Sequence, residues 1–256
     1  MLSRKSPYLV AAVTALVILG AATSGSAQIF VSLAQDEFVT GQPPLFVEKS
    51  DVLFKVFGTQ AQAIAVDGST HLIGDLDALS SSPAGFFFST TQDGWVSGTN
   101  DNVFLEQNDI GLITPGGAVL EVLDGSTFGI PSLDALVVGA GAVFFSIDQD
   151  WWVGLGAAAV YAHDEDILRL DLVTGEITVA ISGADLGLWT LDALEIIGPF
   201  LLVSVATDQP TSQGPFLADE DIVVFNVLTG QLVAVLLGKE LFFINSLDAL
   251  AVGAAT

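Results

Sequence analysis

Three sets of aspartates recur along this chain at one spacing, and each set brings together residues of a type that holds cations. Asp77, Asp134, Asp192 and Asp248 each stand second in a Leu-Asp-Ala-Leu tetrapeptide. These tetrapeptides begin at Leu76, Leu133, Leu191 and Leu247, in steps of 57, 58 and 56 residues. Asp36, Asp93, Asp150 and Asp208 keep the same period, as do Asp51, Asp109, Asp166 and Asp221. Carboxylates gathered at one level are hard oxygen ligands, for which Ca²⁺ is the natural ion and Mg²⁺ the second. Like charges held close repel one another, and a bound cation relieves that repulsion. A structural role competes for the tetrapeptide aspartates: accepting backbone hydrogen bonds from the neighbouring unit also requires an Asp in every copy. The chain has no Asp-x-Asp-x-Asp-Gly loop of the helix–loop–helix calcium kind.

The second set carries rings in register. Gln35-Asp36-Glu37-Phe38, Gln92-Asp93-Gly94-Trp95 and Gln149-Asp150-Trp151-Trp152 each place an aromatic two residues after the aspartate, and the fourth copy has Pro210 there. Ring faces beside carboxylates suit organic cations and sugars. The competing role is to cover the base of a loop. Asp36, Asp93, Asp150, Asp208, Phe38, Trp95 and Trp152 are therefore the expected ligand-binding residues, and the tetrapeptide aspartates are the expected metal ligands.

Catalytic signals are thin. His71 takes a slot that holds Phe128, Leu186 and Phe242 in the other copies, so a packed role is expected for it. His163 lies among Asp164, Glu165 and Asp166, whose charges favour the protonated imidazole. No Gly-x-Ser-x-Gly elbow, metalloprotease helix motif or phosphate-cradling loop occurs, and no catalytic residue is assigned.

These residues have to be positioned by a repeat of 56 to 58 residues. After each tetrapeptide come a short turn and an apolar strand that ends in serine. Ser89, Ser146 and Ser204 are those serines, and Ser32 belongs to a first copy without its own tetrapeptide. A longer polar loop follows, then a hairpin opened by Asp, clearest over 166–181, where Thr174-Gly175 makes the turn. β-branched and aromatic residues dominate these strands, and amphipathic helical periods are absent. Four short antiparallel strands per unit, joined by two tight turns and two longer loops, predict an all-β, four-bladed β-propeller. The strand from Leu247 to Val252 would pair with the incomplete first unit at Ile29, closing the circle and removing exposed edges.

Strand direction sorts the charges, because antiparallel neighbours alternate. All three aspartate sets fall on one rim, together with Glu48, Glu106, Glu165 and Glu220. The opposite rim is expected to hold mainly Gly, Pro, Ala and Thr.

Composition narrows the partners. Residues 1–27 have a basic start at Arg4 and Lys5, an apolar run from Tyr8 to Ala22 and small residues before Gln28, the layout of a secretory signal peptide. Residues 28–256 then form one domain. Thirty acids against six Lys and Arg give a net charge of −24, which disfavours nucleic acid and anionic membranes and favours cationic ligands. There is no cysteine, so thiol chemistry and zinc–thiolate sites are excluded.

The succession Asp-Ala-Leu, short turn, Phe-Ser, acidic loop and Asp-Ile with a Thr-Gly hairpin resembles a β-propeller-like repeat of secreted bacterial proteins of unassigned role. The likeness spans essentially all of 28–256 and implies no activity, because propellers host binding, enzymatic and scaffolding functions alike. The expectation is an exported, monomeric, non-catalytic binding or scaffold propeller, extracellular or periplasmic. Its acidic face would take a cation, a cationic partner or a carbohydrate, with Ca²⁺ as the one cofactor in prospect. A calcium-dependent hydrolase-type enzyme on the same rim and a passive envelope or matrix protein are the alternatives.

Overall fold

Apolar runs such as Phe200 to Val203 and Ile222 to Phe225 lack a polar alternate, so both faces of these strands need burial. The computed structural model describes residues 27–33, 35–39, 45–56, 62–139, 141–210, 216–236, 247 and 249–254, and it buries those runs between stacked sheets. The expected signal segment, apart from Ala27, and Asp248 lie outside the described residues.

Four antiparallel sheets of four strands make up the fold. The first orders β1 (Ala27–Ser32), β4 (Val52–Val56) and β5 (Gln62–Val66) outward, and its inner strand is β24 (Ala249–Ala254), paired to β1 with Val31 opposite Leu250. The second runs β6 (Leu76–Ser82), β7 (Gly85–Thr90), β10 (Ile110–Ile113), β11 (Val119–Leu123). The third runs β12 (Ala135–Gly139), β13 (Ala142–Ser146), β16 (Ile167–Asp171), β17 (Ile177–Ile181). The fourth runs β18 (Ala193–Ile197), β19 (Phe200–Ser204), β22 (Ile222–Asn226), β23 (Gln231–Leu236). Strands β24, β6, β12 and β18 touch in succession and return to β24, so the sheets stand as four blades of a β-propeller around the tetrapeptide strands.

The core is four seams rather than one centre. Val52 and Val66 of the first blade pack with Leu79 and Phe88 of the second. Ile110 and Leu123 meet Leu136 and Phe145 across the next seam. Ile167 packs with Leu194 and Val203, and Leu202 and Val224 with Val31 and Leu53. Each such side chain contributes about 1.5–3 kcal/mol by leaving water.

Two expectations need correction. The connection between the second and third strand of each blade is a two-stranded hairpin, where a plain loop was expected. These hairpins are β2 (Glu37–Val39) with β3 (Leu45–Val47), β8 (Gly94–Ser97) with β9 (Asn102–Leu105), β14 (Trp151–Val153) with β15 (Val160–Ala162), and β20 (Gln209–Pro210) with β21 (Phe216–Leu217). The cause is a short alternation. Val39 and Val47, Val96 and Leu105, Val153 and Ala162, and Leu217 point inward and join the seam clusters. The opposite rim also exposes Leu172, Val173, Val227 and Leu228, in turns held by Asp171 and Asn226, whose side chains accept the amides of Val173 and Leu228. Among the described residues no helix is long and apolar enough to cross a membrane.

Candidate functional site

The aspartates that open the third strand of each blade are buried and spent on backbone amides. Asp51 Oδ2 accepts from the Glu48 amide at 3.0 Å and its Oδ1 from the Gly68 amide at 3.0 Å. Asp109 takes Glu106 and Gly125 at 2.8 and 3.1 Å, and Asp166 takes His163 and Gly183, both at 3.1 Å. Asp221 accepts from Ala218 at 3.1 Å. Each of the first three carboxylates ties the end of a hairpin to the turn that leads into the next blade. The glycines in those turns have no room for a side chain: a Cβ at Gly68, Gly125 or Gly183 would lie 2.1, 1.9 or 2.0 Å from a backbone oxygen.

Asp36, Asp93, Asp150 and Asp208 are exposed, and all four brace the hairpin bases. Their Oδ1 atoms accept from the amides of Lys49, Gln107, Asp164 and Asp219 at 3.0 to 3.2 Å. One carboxylate oxygen of each is therefore used locally, and the side chain still lies at the surface.

The rings do not cover a loop base. Phe38, Trp95 and Trp152 are 70%, 60% and 61% exposed, and each is paired across its hairpin with a second exposed ring. Phe38 opposes Phe46, Trp95 opposes Phe104 and Trp152 opposes Tyr161, with ring centroids 5.0, 5.4 and 5.4 Å apart. In the fourth hairpin Pro210 opposes exposed Phe216. Every hairpin thus has an aliphatic face sealing a seam and an aromatic face turned to solvent. Phe46, Phe104, Tyr161 and Phe216 were not anticipated, although each is an aromatic six to nine residues after the first position of its pair.

Asp77, Asp134 and Asp192 are half-buried at the start of the inner strands. The amides of Asp134 and Asp192 donate to the backbone carbonyls of Ser146 and Ser204, which joins the start of each inner strand to the end of the second. Asp77 sits in a β-bulge between Leu76 and Ala78. Burial, with Asp148 and Asp75 nearby, pushes its carboxyl up to about 7. Asp75 in turn pairs with Lys49 at 2.6 Å. The charges acting on Asp77 thus come from outside the tetrapeptide set.

The third hairpin carries one mixed cluster. Asp150, His163 and Glu165 bring ligand atoms within 4.8 Å of one another, a set that could hold a divalent ion. His163 Nδ1 lies 3.2 Å from Asp150 Oδ2, and that hydrogen bond raises the imidazole above its ordinary value. Desolvation, and then Asp164, raise Glu165. His71 is elsewhere, on the seam between the first and second blades, with Nδ1 2.8 Å from the Ser97 carbonyl oxygen.

No family model and no curated protein matches this chain. Among solved structures, a chain from a nidogen/laminin complex is similar over 89% of this chain and 98% of its own, at 8% identity and a TM-score of 0.45. The hemopexin fold protein CP4 from cow pea is similar over 68% of this chain and 76% of its own, at 12% identity and a TM-score of 0.37. Likeness of this degree carries no residue role, ligand or activity across.

Proposed function

We propose that this chain is an exported, non-catalytic binding propeller whose ligand is cationic, held by the aromatic pairs of the hairpins and the carboxylates at their bases. The observation that carries this reading is the exposed cross-strand aromatic pair repeated on three hairpins. Large rings left in water forgo the stabilisation that burial would bring, and contiguous exposed apolar surface marks places where partners dock. Ring faces attract ammonium and guanidinium groups, and a net charge of −24 steers such groups inward. Export is supported by the layout of residues 1–27.

The test compares a lysine- and arginine-rich peptide with neutral oligosaccharides on the parent, on Trp95→Ala/Phe104→Ala and on Trp152→Ala/Tyr161→Ala. These variants keep every charge, so non-specific attraction to an acidic protein survives in them. A loss of about tenfold or more in peptide affinity supports the reading. Unchanged peptide affinity overturns it, and salt-insensitive binding of an oligosaccharide transfers the same surface to sugars. N-terminal sequencing of exported protein should begin at Gln28.

A further inference from the structure

A cavity of about 400 Å³ opens on the seam between the first and second blades. Val66, Phe86, Ile113 and Pro115 give it apolar walls, and His71 and Asp67 give it polar ones. A volume of this order is enough for a small ligand. His71 is what sets this seam apart. Its slot holds Phe128 and Leu186 at the next two seams, and both of those pack into the apolar clusters there. The geometry is shared: a Cβ on Gly117 would lie 3.9 Å from His71 Cε1, and one on Gly175 3.5 Å from Phe128 Cε1. An imidazole therefore occupies a place where the sibling seam has a hydrocarbon ring.

A carbonyl oxygen only accepts, so the contact with Ser97 fixes the proton on Nδ1. In the neutral ring Nε2 is then the acceptor, and among the described residues it has no hydrogen-bond partner. The charge around it has one sign. No Lys or Arg lines the cavity, and the Ser69 hydroxyl and Thr70 amide hold Asp67 ionised, below the usual carboxylate range. Anions are repelled, apolar bodies are accepted, and a hydrogen-bond donor is wanted.

We propose that this cavity is a binding site for a compact apolar molecule carrying one protonated amine, with the amine donating to His71 Nε2 beside Asp67 and the apolar body against Phe86 and Pro115. The site is independent of the hairpin face.

The experiment titrates the full chain with benzylammonium, benzyl alcohol and benzoate while following the imidazole resonances, of which the chain has only two sets. Benzylammonium should shift the His71 signals saturably, and should do so equally in Trp152→Ala/Tyr161→Ala, where the ring pair beside His163 is removed. Benzyl alcohol should bind about tenfold more weakly, and benzoate should not saturate. His71→Phe, which installs the residue its sibling seam carries, should keep the melting temperature and lose saturable binding by calorimetry. Asp67→Asn should remove the preference for amine over alcohol. An unsaturated His71 signal at roughly 10 mM benzylammonium, equal affinity for benzoate, or undiminished binding by His71→Phe overturns the proposal.

Discussion

Asp109 and Gly125 fix each other across the outer half of the second blade: Oδ1 of the aspartate accepts the glycine amide at 3.1 Å, where a Cβ would sit 1.9 Å from the Asn108 carbonyl oxygen. The other carboxylate oxygen takes the Glu106 amide. Asp109→Ala leaves two amides without acceptors, each costing about 1–3 kcal/mol where it is buried. The expected loss is therefore roughly 2–5 kcal/mol by urea unfolding, with Asp109→Asn retaining part of it. Asp51→Ala and Asp166→Ala should behave alike, because the contact recurs with Gly68 and Gly183.

The hairpins predict a contrast between adjacent residues. Leu105 is buried in the seam, and Phe104 faces solvent against Trp95. Leu105→Ala should cost about 2–5 kcal/mol, as cavity-forming changes do. Phe104→Ala should cost far less, and its coupling to Trp95→Ala in a double-mutant cycle should be about 0.5–1.5 kcal/mol. Equal losses at the two positions would mean that the hairpin does not present one face to the core.

How much of this was legible in the sequence follows from how local each signal is. The tetrapeptide period specifies four units, and the serine at the end of each second strand marks the register, with Ser146 opposite Ala135 and Ser204 opposite Ala193. The hairpins were hidden because strands such as Glu37–Val39 are only three residues long, too short for alternation to stand out. The tie from Asp109 to Gly125 spans 16 residues and becomes meaningful only once a turn brings them together. Repeat symmetry does not describe the surroundings of Asp77. Its neighbour Asp148 has no counterpart in the other copies, where Ala34, Thr91 and Ala206 stand, so the repeat pattern carries no sign of it.

His163 reports on the third hairpin without any ligand. Its hydrogen bond to Asp150 raises the imidazole above its ordinary value. A raised histidine contributes stability below its unfolded pKa and loses that contribution as pH rises through the folded one. Proton NMR titration should place the His163 midpoint above that of a free imidazole, and Asp150→Asn should bring it back down. A divalent ion on Asp150, His163 and Glu165 would oppose protonation and lower the midpoint instead, so repeating the titration with added Zn²⁺ reads that cluster directly.

Asp77 gives the same sign, from burial rather than from a hydrogen bond. Burial, then Asp148 and Asp75, lift its carboxyl from 3.8 to about 7. Across that window the folded chain holds a proton that the unfolded chain has released, so stability falls as pH rises and levels off above the folded value. The full effect is on the order of 4 kcal/mol, enough to move a melting temperature by several degrees. Asp77→Asn mimics the neutral acid, so parent and variant should melt together near about pH 4, and the variant should melt higher near about pH 8. Comparing the two proteins removes the background of the many other carboxylates. Parallel curves across the whole range would mean that Asp77 ionises freely in the folded state, which burial beside two anions forbids unless a cation is shared with them. Calcium and EDTA added at the alkaline end separate those cases: a bound ion raises the melting temperature of the parent and leaves that of Asp77→Asn unchanged.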